Sequence, residues 1–198
     1  AAVAQGCPIV LSPHGTIDQS TGRGGLKKLW DRVLSPAVAQ RMDRVVALTE
    51  QERADVMALW PQFGCRQIPT AFDVVPNGID PSDFEHLPDS SGFRERYGLG
   101  DGPVVLFMGR LHPRKGLQVL AEAFRQIERP DARLVIAGPD EGALQMTQPL
   151  LDERAVVTGY IDGHERLEAL AAADLFALPA TGEGLSMAAL EAMACRLP

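Results

Sequence analysis

In the second half of the chain, continuous apolar runs alternate with helical stretches, and no other feature limits the fold as strongly. The first run is Val104-Val105-Leu106-Phe107-Met108, and further strands are expected at 133–137, 155–158 and 175–178. Runs of this length without polar alternation are expected of strands buried on both faces. Between them, Leu117, Leu120, Ala121 and Phe124 recur on one side of a helix expected at 117–127. A helical segment ends near Leu151, another spans 165–172, and a last one follows Ser186. Strands separated by helices in this order imply right-handed crossovers and a parallel sheet, whose ligands gather outside the carboxyl ends of the strands. The loops at those ends are 109–116, 138–142, 159–163 and 179–184, and each carries at least two glycines.

The first half repeats the theme with shorter elements. Pro8-Ile9-Val10-Leu11 reads as a strand ended by Ser12-Pro13-His14-Gly15, and a glycine-bearing loop then leads to a helical pattern at Leu26, Leu29, Trp30, Val33 and Leu34 that Pro36 kinks or restarts. Val45 to Leu48 is a second strand. Thr49-Glu50-Gln51-Glu52 has the form of a capping box opening a helix through Leu59. A third strand at 72–75 is closed by Pro76-Asn77-Gly78, a turn signal, and 81–102 reads as connector with one short helix at 93–97. The fold class is therefore α/β, with two Rossmann-like parallel-sheet domains that both read as incomplete: 1–75, a connector at 76–102, and 103–198. The opening residues resemble the tail of a helix and the closing Arg196-Leu197-Pro198 the start of a strand, so the sequence reads as part of a longer protein.

With 45% hydrophobic residues the chain has the material for a core, and its net charge of −7 argues against a nucleic-acid partner. No apolar run approaches the roughly 18 residues of a membrane span. Three cysteines, Cys7, Cys65 and Cys195, match neither a zinc spacing nor a disulfide framework and read as reduced thiols, which places the protein in the cytoplasm; Cys7 and Cys195 sit in apolar settings that favour core packing. Trp30 and Trp60 read as core residues.

Two places carry chemistry. Gly109-Arg110-Leu111-His112-Pro113-Arg114-Lys115-Gly116 leaves a strand and enters a helix, so its cations emerge at the ligand-binding edge. Arg110 offers a planar fork for phosphate oxygens and Lys115 a mobile point charge, which suits a diphosphate. The order of residues is not that of a P-loop, and no Gly-x-Gly-x-x-Gly follows a strand. Second, Glu183 and Glu191 flank a junction where a Gly-bearing loop becomes a helix near Gly184, so Gly184, Leu185 and Ser186 are expected to present backbone donors. If the segment between them is helical, Glu191 lies about 80° round and roughly 12 Å along the axis from Glu183, a separation suited to two ends of one polyol ligand. Neither a zincin pattern nor an Asp-x-Asp pair occurs. His14, on a loop after a strand, is a candidate donor to a phosphate or sugar hydroxyl; His112 is a weaker one.

In this order the pieces resemble glycosyltransferase family 4, retaining nucleotide-sugar transferases of the GT-B fold. The matching elements are Ser12-Pro13-His14-Gly15, Val75-Pro76-Asn77-Gly78-Ile79-Asp80, Gly109-Arg110-Leu111 with Lys115-Gly116, Ile136-Ala137-Gly138, Ala173-Asp174-Leu175-Phe176, Glu183-Gly184-Leu185 and Leu190-Glu191-Ala192-Met193-Ala194. The resemblance implies two domains facing each other across a cleft and a transferase that moves a hexose from a nucleoside-diphosphate donor, such as a UDP- or GDP-hexose, to a saccharide or lipid-linked acceptor. It implies no metal and no cofactor besides the donor. By position, the Gly109 loop with Arg110 and Lys115 would neutralise the diphosphate, and Glu191 would accept from ribose hydroxyls. Glu183, with N–H groups near Gly184, Leu185 and Ser186, would hold the transferred sugar. His14 would act near the reacting carbon, and backbone around Tyr160 and Ile161 would meet the base. Peripheral membrane contact of a longer protein stays open. Alternatives are a non-catalytic nucleotide-sugar-binding module, a sugar phosphorylase and a sugar-nucleotide epimerase. Two departures stand out: the family's N-terminal glycine-rich loop is missing, and Arg196 occupies a position where the family has Gly, which suits a positive φ after a helix.

Overall fold

The computed structural model describes residues 7–14, 34–63 and 72–198 and divides the chain into two compact units. The expected helical pattern from Leu26 to Val33 with Trp30, the loop before it, the helical tail at 1–5 and Cys65 lie outside the described residues.

The first unit takes in Ala1–Asn77 with Gly182–Leu185. Its described strands are β1 (Val10–Leu11), β2 (Arg44–Ala47) and β3 (Phe72–Val74), parallel and in the order β1-β2-β3. Between β1 and β2 lies α1 (Ser35–Ala39), which has Pro36 in its first turn, where a missing N–H costs nothing. Between β2 and β3, α2 (Glu50–Leu59) begins as the sequence indicates: Thr49 Oγ1 accepts from Glu52 N at 3.1 Å. Glu52 in turn reaches back past the cap, its Oε2 accepting from Leu48 N at 2.7 Å. Trp60 is buried with Val45 and Val56 and meets Phe72 edge-on at 6.1 Å between ring centroids. Cys7, expected to pack in the core, is exposed.

The second unit, Gly78–Thr181 with Ser186–Pro198, contains β4 (Val104–Met108), β5 (Arg133–Ala137), β6 (Ala155–Gly159) and β7 (Leu175–Phe176). All pair in parallel in the order β6-β5-β4-β7. Its helices are α3 (Ser91–Arg96), α4 (Leu117–Arg125), α5 (Leu144–Thr147), α6 (Gly163–Ala172) and α7 (Met187–Ala194). Strand pleating explains why β4 is buried at all five positions. Val104, Leu106 and Met108 enter one core cluster with Ala169, Leu170 and Ala192, while Val105 and Phe107 enter the other with Leu117, Leu120 and Phe124. The expected connector at 76–102 is part of this core: Phe84, Phe93 and Leu99 are buried in the first cluster, and Arg94 ties α3 to the turn before β4 and to the end of α6 by donating to the carbonyls of Gly100, Gly102 and Ala172.

A cavity of about 460 Å³ lies at the amino-terminal edge of this sheet, lined in part by Arg125, Arg129, Arg133 and Arg154. Most of its guanidinium groups are already engaged. Arg154 holds Asp152 at 2.8 Å, donates to the carbonyls of Phe124, Ile127 and Arg129, and stacks on Phe124; Arg129 holds Asp131 at 2.7 Å, and Arg133 donates to two carbonyls. These contacts close the end of α4 and make the cavity a structural seam.

After α7 the chain forms a helix-terminating loop in which Leu197 N donates to Ala192 O and Arg196 N to Met193 O, both at 3.0 Å, with Arg196 at φ +61°. This Schellman geometry favours Gly at the position that Arg196 fills. Arg196→Gly is therefore expected to stabilise the protein by about 0.5–1 kcal/mol, because left-handed backbone costs an L-residue about 1–2 kcal/mol and glycine's extra freedom when unfolded returns part of the gain. A urea midpoint at or below that of the parent protein contradicts this account.

Candidate functional site

The strand order of the second unit places its switch point between β4 and β7: β5 and β6 extend the sheet to one side of β4, and β7 lies on the other. Ligands of open parallel sheets bind outside the carboxyl ends at such a point. Two loops meet there, 109–116 after β4 and 177–181 after β7, and their backbones touch. A Cβ on Gly116, at φ +73°, would lie 2.0 Å from the carbonyl oxygen of Pro179. Thr181 N also donates to Arg114 O at 2.8 Å. The β5 loop joins the same edge, since Leu111 N donates to Pro139 O at 2.8 Å and Leu111 O accepts from Glu141 N and Ala143 N.

The cationic loop is therefore anchored at Leu111, which is buried, and at Gly116; between them Pro113 is exposed and His112, Arg114 and Lys115 are half-buried. His112 Nδ1 accepts from Arg114 N, capping a short 3₁₀ turn over Pro113–Lys115 that ends at Gly116. Gly109 gives its N–H to Ala137 O at 2.9 Å, yet a Cβ placed on it would meet nothing within 4 Å, so the backbone there faces open space. Arg110 emerges beside that opening with its side chain 64% exposed and holds Glu141 at 3.0 Å. Lys115 is half-buried at the end of the 3₁₀ turn. The sequence reading of this loop did not include Glu141 as the partner of Arg110.

At the other expected place the helix begins later than the sequence reading puts it. α7 starts at Met187, and Ser186 is its N-cap, with Oγ accepting from Ala189 N at 3.4 Å. Gly184 and Leu185 thus precede the helix and are not first-turn donors, and the helical 80° and 12 Å relation between Glu183 and Glu191 does not apply. Serine's preference for the N-cap was the available signal. Glu183, Gly184 and Leu185 group with the first unit, where Asn77 Nδ2 donates to Leu185 O at 3.2 Å. His14, also in the first unit, sits in a turn at φ +50° and is exposed.

Glu191 departs furthest from a solvated helix position. It is 8% exposed, and Arg166 of α6 donates to its Oε1 from Nη1 at 2.5 Å. Burial pushes its carboxyl above the usual glutamate range, and the Arg166 charge and hydrogen bond only partly offset this. Tyr160, just beyond β6, is 68% exposed, while the Ile161 side chain is buried in the core, which leaves only the backbone of Ile161 for ligand contact. Among the described residues no three His, Cys, Asp or Glu side chains gather as a metal-binding group, and no helix is long and apolar enough to cross a membrane.

Comparison with known proteins gives this geometry a family. Residues 102–198 match the model described as Glycosyl transferases group 1. The chain is 39% identical over 142 residues to the GDP-mannose-dependent alpha-(1-6)-phosphatidylinositol monomannoside mannosyltransferase of Mycolicibacterium smegmatis, covering 65% of this chain and 37% of that protein. It is 30% identical over 177 residues to the D-inositol 3-phosphate glycosyltransferase of Kineococcus radiotolerans, covering 81% of this chain and 40% of that protein. The chain thus spans about two fifths of the length of these curated relatives. Among solved structures, Anabaena HepE in complex with UDP-glucose superposes with a TM-score of 0.80 at 22% identity, over 100% of this chain and 54% of that one. The two parallel-sheet units are of the GT-B kind, and residues 102–198 match the group 1 glycosyl transferases.

Proposed function

We propose that this chain supplies the donor-binding part of a retaining, metal-independent hexosyltransferase that moves a hexose from a nucleoside-diphosphate sugar to a saccharide or lipid-linked acceptor. The observation that carries the reading is the switch-point loop: Arg110 and Lys115 stand on a strand-to-helix turn whose two ends are pinned by backbone contacts, beside an opening at Gly109. Two cations held on a rigid rim suit a diphosphate, the leaving group of such a transfer, and preorganised charge of this sort is a major source of catalysis. The mannosyltransferase and the D-inositol 3-phosphate glycosyltransferase to which the chain is similar support the same class.

In this reading Arg110 and Lys115 neutralise the diphosphate, Glu191 accepts from ribose hydroxyls, and backbone near Tyr160 and Ile161 meets the base. Glu183, with Gly184, Leu185 and Ser186, holds the transferred sugar's hydroxyls, and His14 acts near the reacting carbon. A donor phosphate oxygen takes the acceptor's proton as the new glycosidic bond forms on the face the diphosphate leaves, so catalysis rests on positioning and charge stabilisation. The reaction uses no cofactor besides the donor and takes place in the cytoplasm.

The test is a panel of UDP- and GDP-hexoses with the full-length protein, read by nucleotide release with and without chelator and by the anomeric configuration of the product. Expected are acceptor-dependent release, an α-linked product from an α-linked donor, and rates that chelator leaves unchanged. Absence of nucleotide binding across the panel overturns the reading as a whole. An inverted product removes retention, sensitivity to chelator removes metal independence, and product formed only with inorganic phosphate points to a phosphorylase.

A further inference from the structure

We propose that Arg166 is a positioning residue that holds the Glu191 carboxylate ready to accept a hydroxyl of the donor's ribose, an inference that rests on the reading above. The pair joins two helices, α6 and α7, within one unit. Its geometry is one-sided: Nη1 of Arg166 donates to Oε1 of Glu191, while Oε2 receives no hydrogen bond among the described residues. Arginine and carboxylate brought together for cohesion alone favour the two-bond fork, which satisfies both oxygens. Here the guanidinium engages one oxygen and leaves the other as an acceptor.

The surroundings give no structural need for charge. α7 is otherwise Met, Ala and Leu, a sequence that would pack without any acid, and exchanging a buried ion pair for apolar residues is often neutral or stabilising. The arrangement even leaves Arg166 Nε buried without a partner, which counts against cohesion as its purpose. What Arg166 supplies is an ionised, fixed acceptor. With the Glu191 side chain only 10% exposed, removal of the cation would favour the neutral acid, whose proton makes it a donor, and would free the side chain to turn. A ribose hydroxyl that donates to Oε2 completes the carboxylate's hydrogen bonding, so discrimination falls on the hydroxyl and not on the phosphates.

Calorimetry on the full-length protein with UDP, GDP and their 2′-deoxy counterparts tests this. The parent protein is expected to prefer the ribonucleotide by tenfold or more. Arg166→Met is expected to cut that preference below threefold while affinity for the deoxynucleotide stays within twofold, and Arg166→Lys to restore part of the preference. A preference left intact in Arg166→Met overturns the inference. An equal loss for both ligands also overturns it, because that is the mark of general structural damage. If the methionine variant does not fold, Arg166→Lys carries the comparison: a reduced preference supports the role, and an unchanged one overturns it. A parent protein that binds neither nucleotide overturns this inference together with the functional reading, whereas binding without ribose preference removes Glu191 and Arg166 and leaves the phosphate loop standing.

Discussion

Replacing Gly138 by alanine lowers the stability of the second unit by about 3–6 kcal/mol, out of a total of roughly 5–15 kcal/mol for a typical protein. Gly138 follows β5 at φ +143°, and a Cβ there would lie 1.9 Å from the carbonyl oxygen of Gly109 and 2.7 Å from its carbon. Both colliding atoms are backbone, so no rotamer change relieves them. One contribution is the positive φ, about 1–3 kcal/mol, and the other is the forced separation of the β4 and β5 ends, of similar size or larger. Gly109 isolates the first contribution: its φ is +152°, but a Cβ on it meets nothing within 4 Å. Gly109→Ala is therefore expected to lose only about 1–3 kcal/mol. The readout is amide exchange across Leu134 to Ala137, which reports on this unit alone, with Gly138→Ala accelerating it by two orders of magnitude or more. If the two variants agree within a few-fold, the close approach of these loops is not what glycine serves.

The same contrast shows how far the sequence carries. β4 and β5 fall where their uninterrupted apolar residues place them, because strands buried on both faces need no alternation and tolerate little else. β1 and β7 are each shorter than their apolar runs: β1 starts after its run begins, and β7 stops before its run ends. The core role of Phe84, Phe93 and Leu99 was not legible: they are separated by polar residues with neither strand nor helix period, and only the tertiary fold brings them under β4. The site divides in the same way. Local sequence places the cationic loop and its glycines, because a turn between strand and helix is a short-range event. The partners of its charges are long-range, Glu141 for Arg110 across 31 positions and Arg166 for Glu191 across 25, and nothing in either neighbourhood announces them.

Those partners shape the expected effect of removing the phosphate-binding cations. Arg110→Ala and Lys115→Ala in the full-length protein are each expected to weaken nucleoside-diphosphate binding by about 10- to 100-fold, the equivalent of roughly 1.5–3 kcal/mol for a charge-assisted hydrogen bond. Arg110 belongs at the lower end, because its side chain is 64% exposed and its charge is already shared with Glu141. Half-buried Lys115, at the end of the 3₁₀ turn, belongs at the upper end. The double variant loses less than the product of the two, since both cations act on one diphosphate and neighbouring contributions do not add. Glu141→Gln tests the shared charge: it frees Arg110 from an exposed ion pair worth about 0–1 kcal/mol, so binding tightens by at most about fivefold. The matching nucleosides, which lack phosphate, are expected to bind all four variants as they bind the parent. If nucleosides and nucleoside diphosphates weaken in parallel, the loop shapes the site without gripping phosphate. If diphosphate affinity stays within twofold in both alanine variants, the cations at the switch point serve some other anion, and the transferase assignment loses its main physical support.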